Sequence, residues 1–247
     1  MANNYFQFKQ FTVHQDRCAM KVTTDACLFG AWVANKSGVR SWESGVRQQV
    51  LDIGTGTGLL SLMLAQQNPA SVIEAIEIDQ EAYKQAKENI TNSPWAEKIN
   101  VIKSDIKEFQ PLQQYDVIIS NPPFYENELK SDSSKKNKAH HDEALLLDDL
   151  LVIIKQNLKP TGRFYLLLPY KRNNEIVSMV VKNKLAIANK TLVKQSTQHG
   201  YFRILLSGKH AENNKEDFIT NEIAIRDKDE KYTPEFINLL KDYYLYL

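Results

Sequence analysis

A chain of 247 residues, 43% hydrophobic and 25% charged, is long enough for one large α/β unit and argues against a disordered or membrane class. The formal net charge of +1 supplies no global field that would announce a nucleic-acid partner, so any such partner must be held by a local basic patch. No run approaches the ~18 consecutive apolar residues of a membrane span, and MANNYFQFKQ lacks the apolar core of a secretory signal, which makes a cytoplasmic location the expectation.

In chain order, FKQFTVHQ (8–15) reads as a strand or hairpin, and TDACLFGAWVANK (24–36) as a helix with Thr23 or Thr24 as its N-cap. A surface loop is predicted from Lys36 to Arg47. From Gln48 the chain alternates β-rich runs (48–54, 71–79, 99–105, 115–121 and 162–169) with amphipathic stretches (58–67, 80–90 and 143–158). That alternation predicts parallel strands joined by crossover helices. Lys159-Pro160-Thr161-Gly162 should close the last helix and turn into its strand. Beyond Pro169 follow a helix near Asn174 to Asn183, strands near Leu185 to Lys194 and Phe202 to Gly208, a strand at 218–226 and a terminal helix from Pro234. Without repeats or a low-complexity linker, 1–247 is expected to be one domain, with a lead-in (1–47), a cofactor-binding core (48–169) and a C-terminal part (170–247). Cys18 and Cys27 have no nearby histidine pattern, so a disulfide framework and a zinc site are not suggested.

Ligand sites in such sheets lie at the carboxyl ends of the strands, and every chemical motif here falls there. Asp52-Ile53-Gly54-Thr55-Gly56-Thr57-Gly58 leaves a strand and enters a helix, so Gly54, Gly56 and Gly58 permit a tight turn and close approach of a ligand to the backbone. The spacing is one residue shorter than the dinucleotide fingerprint. Asp52, two residues before the first glycine, suits the α-ammonium of a methionine-like group better than a pyrophosphate. Glu77 ends the next strand 19 residues after Gly58 and is placed to accept from ribose hydroxyls, whereas Asp79 fits a helix N-cap. Asp105, with the backbone of Ile106 beside it, is placed to accept from an adenine amine; its alternative is a turn-forming Asp without a ligand.

Together with Asn121-Pro122-Pro123-Phe124 at the end of YDVIIS, these residues resemble the class I methyltransferases that use S-adenosylmethionine. Asn-Pro-Pro-aromatic is similar to the motif of enzymes that methylate planar amino nitrogens. Over essentially the whole chain, CAMKVTTDACLFGAWV (18–33), ENITNSPWAEKINV (88–101) and YTPEFINLLKDYYLYL (232–247) resemble the bacterial tRNA1(Val) (adenine-37-N6)-methyltransferase family. The resemblance implies a Rossmann-like class I methyltransferase fold with a central, mostly parallel seven-stranded sheet flanked by helices. It also implies S-adenosylmethionine as cofactor and a tRNA partner; no membrane, no metal and a monomer are expected besides. Lys21 and Thr24 would then lie near the cofactor or the pocket mouth, the alternative being that they only start the helix.

The chemistry expected at Asn121 follows from the weakness of an adenine amine as a nucleophile. The Asn121 side-chain carbonyl and the Pro122 main-chain carbonyl would each accept one N–H, proline fixing its carbonyl's direction through its restricted φ. Phe124 would stack on the base. The stretch from Glu126 to His141 carries Lys130, Lys135, Lys136 and Lys138 and is read either as a basic loop closing over an anticodon loop or as a solvated insertion; His140 and His141 are read as loop surface. Lys171, Arg172, Tyr201, Phe202 and Arg203 are further candidates, equally compatible with ordinary surface charge and a half-buried strand. The competing functions are a protein glutamine or DNA or rRNA adenine methyltransferase, a nicotinamide-dependent oxidoreductase and a noncatalytic adenosine- or RNA-binding module.

Overall fold

The computed structural model describes residues 3–38, 47–123, 147–211 and 218–247. A two-stranded antiparallel hairpin, β1 (Tyr5–Gln7) and β2 (Thr12–His14), precedes α1 (Thr24–Gly38). Thr23 is the capping residue of α1: its hydroxyl accepts from the Ala26 N–H at 3.4 Å, and its carbonyl from the Cys27 N–H at 3.0 Å. Five strands and three helices follow: β3 (Gln49–Ile53), α2 (Leu59–Gln67), β4 (Val72–Glu77), α3 (Gln80–Thr91), β5 (Ile99–Lys103), β6 (Tyr115–Ser120), α4 (Leu147–Asn157) and β7 (Leu158–Pro169). The chain continues through α5 (Asn173–Lys182), β8 (Leu185–Ser196), β9 (Tyr201–His210), β10 (Ile219–Arg226) and α6 (Pro234–Leu240).

The central sheet has the order β10-β8-β9-β7-β6-β3-β4-β5 and contains eight strands, one more than the resemblance implies. The additional strand is β10, which pairs in parallel with β8 and closes that edge. Only β9, antiparallel to both β7 and β8, breaks the parallel arrangement. The chain places β4 and β5 on one side of β3 and then returns to place β6 on the other, so β3 is the point where strand order reverses.

Two apolar clusters cover the two faces of the sheet, one with α1, α2, α6 and the hairpin, the other with α4 and α5. Residues Leu59 to Ala65 of α2 are all buried, as expected of a helix apolar on every side. By contrast α3 is strongly amphipathic and buries Ala82, Gln85, Ala86, Asn89 and Ile90 at helical spacing. Asp79 caps it, its Oδ1 accepting the Glu81 and Ala82 N–H groups at 2.9 and 2.8 Å.

The predicted break at Lys159-Pro160-Thr161-Gly162 is real but lies inside β7. Tyr115 pairs with Leu158 and Val117 with Arg163, so the intervening residues bulge out of the ladder opposite Asp116. Proline is tolerated there because no ladder N–H is required. Lys159 Nζ lies 2.8 Å from Asp116 Oδ2, holding the excursion down.

Long-range contacts hold the two ends of the chain together. Phe8 forms a β-bridge with Tyr244, the Lys9 N–H donates to the Tyr243 carbonyl at 2.8 Å, and the Tyr243 hydroxyl donates to the Met63 carbonyl at 3.0 Å. The lead-in is also fastened to α3. The Asn89 side chain accepts from the His14 N–H at 2.9 Å and returns a bond to the His14 carbonyl at 2.8 Å, behaving as a strand partner would. Its remaining N–H donates to the Thr57 carbonyl in the glycine turn at 2.9 Å.

Asn89 is buried, so replacing it with leucine leaves the two His14 groups and the Thr57 carbonyl without that partner. Asn89→Leu is expected to lower stability by about 3 kcal/mol, with Tm roughly 10 °C lower. Urea denaturation should show the loss, and limited proteolysis should show faster cleavage within the lead-in.

Candidate active site

β3 and β6 are neighbours in register, Ile53 opposite Ser120, and the Ser120 hydroxyl donates to the Ile53 carbonyl at 2.8 Å. The residues after each strand, Gly54 and Asn121, therefore emerge side by side, with the strands about 4.8 Å apart. At Gly54 and Gly56 φ is +71° and +58°, and a Cβ added at either position would find no atom within 4 Å. The turn is thus bent by left-handed backbone that glycine adopts without strain, and it presents bare main chain to open space. The N–H groups of Gly54 and Thr55 donate to the Ile76 carbonyl at 2.9 and 3.0 Å, anchoring the turn on β4.

The acids around this turn are held before any ligand arrives. Glu77 Oε2 accepts from the Gly56 N–H at 2.8 Å and its Oε1 from the Asp79 N–H at 2.9 Å, so one carboxylate joins the glycine turn to the start of α3. Asp52 is fully buried. Its Oδ2 accepts from the Thr55 and Ser61 hydroxyls at 2.7 and 2.6 Å, while its Oδ1 is buried without a hydrogen-bond partner. Burial pushes the Asp52 carboxyl up from 3.8 to about 6; the Ser61 and Thr55 hydroxyls pull against that rise and the charge of Glu77 adds to it. Cys18 lies near these acids, its thiol pushed up to about 11 by burial and then by the charges of Glu77, Asp79 and Asp16, which disfavours a reactive thiolate.

At the end of β5, Asp105 is half-buried and Ile106 buried. The Ser104 N–H donates to the Glu77 carbonyl at 3.1 Å, bringing this loop against β4. The Asp105 side chain accepts from the Lys107 N–H at 2.9 Å, so it forms a turn in addition to facing the same end of the sheet. Asp52, Glu77 and Asp105 therefore stand at the carboxyl ends of three adjacent strands.

Asn121 is half-buried and reaches the surface, Pro122 is buried, and Pro123 is exposed. The Asn121 Nδ2 lies 4.0 Å from Met20 Sδ. Lys21 is exposed next to Met20, and the half-buried Thr24 begins α1. Met20 is thus a site neighbour that the sequence reading passed over in favour of Lys21 and Thr24. Nothing local signals it, because its contact with Asn121 spans 101 residues. The same holds for Ser61, which lies within an apolar helix and shows its role only through its bond to Asp52. Phe124, Lys130, Lys135, Lys136, Lys138, His140 and His141 lie outside the described residues. Among the described residues no group of three or more His, Cys, Asp or Glu side chains is arranged to hold a metal, and no helix is long and apolar enough to cross a membrane.

A glycine turn and a polar carbonyl-bearing turn, juxtaposed at the reversal point of a sheet with this strand order, define the class I methyltransferase fold. The structure is similar to that of a predicted O-methyltransferase from Agrobacterium tumefaciens, with a TM-score of 0.63 and 14% identity over 88% of this chain and 96% of that one. It is also similar to the glycopeptide N-methyltransferase MtfA complexed with S-adenosyl-L-methionine, with a TM-score of 0.53 and 11% identity over 73% of this chain and 94% of the other. Residues 39–167 match the family model for the methyltransferase small domain. A curated tRNA1(Val) (adenine(37)-N6)-methyltransferase of Dyadobacter fermentans is 41% identical over 244 residues, covering 98% of each chain. The chain belongs to the tRNA1(Val) (adenine(37)-N6)-methyltransferase family and is an enzyme of the methyltransferase class.

The buried Asp52 gives a pH signature. An acid whose folded pKa of about 6 exceeds its ordinary 3.8 binds its proton more tightly when folded, so its contribution to stability falls as pH rises between those values. Asn has no such titration. The stability of Asp52→Asn relative to the parent should therefore rise by roughly 2.4 kcal/mol between pH 4 and pH 7. Urea unfolding at a series of pH values checks this, and a difference that stays flat would contradict it.

Proposed function

We propose that this chain transfers a methyl group from S-adenosylmethionine to the N6 amine of an adenine in a tRNA anticodon loop, adenine 37 of tRNA1(Val) being the favoured target. The observation that carries this reading is the pairing of Ile53 with Ser120, which sets the Gly54 turn beside Asn121. Family membership supports the acceptor, since the curated relatives carry that activity in their names.

The residues present fit the cofactor. Gly54 and Gly56 leave an open cradle along bare main chain, and the partnerless Asp52 Oδ1 offers an acceptor to a cationic group. In this reading Asp52, Gly54, Gly56 and Gly58 hold the methionine part, Glu77 accepts the ribose hydroxyls, and Asp105 with the Ile106 backbone receives the adenine. Lys21 and Thr24 border the opening. When bound, S-adenosylmethionine supplies an electrophilic methyl carbon.

The chain's own part is to present a nitrogen to that carbon. The Asn121 Oδ1 and Pro122 carbonyl each accept one N–H of the amine, which fixes the nitrogen's orientation without requiring a strong base. Its proton becomes acidic as the new bond forms and can leave to water afterwards. Phe124 stacks on the base, and Lys130, Lys135, Lys136 and Lys138 are assigned to RNA phosphates. The rate enhancement on this account comes from positioning, for which the ceiling is about 7–11 kcal/mol. Single-domain, monomeric, metal-free action in the cytoplasm completes the reading.

The test is to incubate the purified protein with radiolabelled S-adenosylmethionine and unmodified total tRNA and then analyse the nucleosides. N6-methyladenosine in one valine acceptor is expected. Asn121→Ala should keep its fold and its calorimetric affinity for S-adenosylmethionine but lose about 100-fold or more in single-turnover methyl transfer. A rate near that of the parent would defeat the clamp, and heat released with NAD instead of S-adenosylmethionine would defeat the cofactor assignment.

A further inference from the structure

Beyond the adenine site, the start of β9 carries a surface that the methyl-transfer chemistry does not use. β9 runs antiparallel to β7 with Arg203 opposite Pro169, so its first residues stand at the same rim of the sheet as Asn121. On its other side Arg203 pairs with Val193 but Tyr201 pairs with Lys194, leaving Phe202 as one extra residue in the ladder. Such a bulge re-aims side chains at a sheet's rim. In a regular strand, Phe202 and Arg203 would point to opposite faces. Here both lie on the face covered by α1: Phe202 packs beside that face's apolar cluster, and Arg203 Nε donates to Asp25 Oδ2 at 2.7 Å in the first turn of α1.

The result is a flat ring with a cation fixed next to it. The guanidinium carbon of Arg203 is 5.5 Å from the centroid of the Phe202 ring, and both side chains remain partly exposed. Asp25 fixes the guanidinium through one of the five donors that an arginine carries. At the same end of the sheet but against the cluster on its other face, the Tyr170 and Tyr201 rings lie 5.0 Å apart with Lys194 at 4.7 Å from Tyr201 and ion-paired to Glu222. A partly exposed aromatic ring with a fixed cation beside it suits single-stranded nucleic acid, whose unstacked bases lie on rings while its phosphates meet cations. A protein partner would be served better by a contiguous apolar patch.

Position selects which nucleotide. Asn121 lies at the level of Leu167, whose β9 partner is Leu205, so Arg203 is two strands across and two residues nearer the rim. From strand spacing and rise, that separates it from Asn121 by roughly 12 Å. That sets it apart from the position of Asn121 yet near enough for a neighbour in an extended loop.

We propose that Phe202, with Arg203 fixed beside it, is a stacking platform for a nucleotide flanking the methylated adenine, so that RNA selection extends past the modified base. The proposal rests on the RNA-methylating reading above. Arg203 is the positioned cation of the platform, and Asp25 positions it in turn.

The test is a double-mutant cycle between protein and RNA. Binding by fluorescence anisotropy and single-turnover methyl transfer are measured with a fluorescein-labelled anticodon stem-loop that carries the target adenine, and with the same RNA made abasic at each flanking loop position in turn. Phe202→Leu retains apolar cover over the cluster, and Phe202→Tyr retains an aromatic face. Phe202→Leu should weaken binding to the intact stem-loop about tenfold, leave calorimetric affinity for S-adenosylmethionine unchanged, and lose nothing further on the abasic RNA at one flanking position. Phe202→Tyr should bind close to the parent. If Phe202→Leu is weakened equally on every RNA, or not at all, the platform is overturned while methyl transfer by the parent stands. If the parent binds S-adenosylmethionine but neither binds nor methylates the stem-loop, both the platform and the RNA reading fall.

Discussion

The parallel pairing of β3 with β6 is the constraint on which the site depends. It places Ile53 opposite Ser120, residues 67 apart in sequence, and a side-chain bond from Ser120 to the Ile53 carbonyl pins the level. Both strands are buried on both faces, so a slip by one residue would mismatch every side chain with its layer. Two turns of different chemistry, one of bare glycine backbone and one of amide and proline carbonyls, are therefore delivered to the same crevice by packing forces that act well below it. The crevice itself contributes little to its own placement.

The second constraint is electrostatic. A cluster of carboxylates beside a nearly neutral protein body would repel itself unless each charge were individually satisfied. The structure satisfies them locally: hydroxyls of Thr55 and Ser61 on Asp52, backbone N–H groups of Gly56 and Asp79 on Glu77, and that of Lys107 on Asp105. Asp52 Oδ1 is buried without a partner, and this leaves a standing electrostatic demand for a positive group close to the glycine turn. Glu77 is different in kind, because its two backbone bonds make it part of the turn's scaffold as much as a ligand for a diol.

Much of this architecture was legible from local pattern. VLDI and DVIIS are nearly continuously apolar and became the buried β3 and β6; the glycines, Asp79 and Thr23 declared the turn and the helix starts through backbone and capping chemistry. Legibility ended where the structure depends on distant partners. Lys159-Pro160-Thr161-Gly162 reads as a terminator, but pairing with β6 resumes on both sides of it. The half-polar ITNEIAIR gives a strand but not its membership in an eighth position. Asn89 sits in a polar helix where an amide looks like ordinary surface, and only its bonds to His14, 75 residues away, show it to be buried structural hardware. Met20 was hidden for the same reason, and the bulge at Phe202 cannot be seen without the register of β8.

The joining of the two ends has a bearing on when the enzyme comes into being. The segment that carries Met20 to Asn121 is braced not only by α3 but by Phe8 and Lys9 against Tyr243 and Tyr244, contacts between residues more than 230 positions apart. Pairings of such sequence separation form late, since the intervening chain must first be ordered. The sheet core around β3 and β6 can therefore collapse before the segment that carries Met20 is braced in place. Tyr243 and Tyr244 brace partners more than 230 positions away, so the support of the Met20 segment is set after the sheet core, as a closing step of folding.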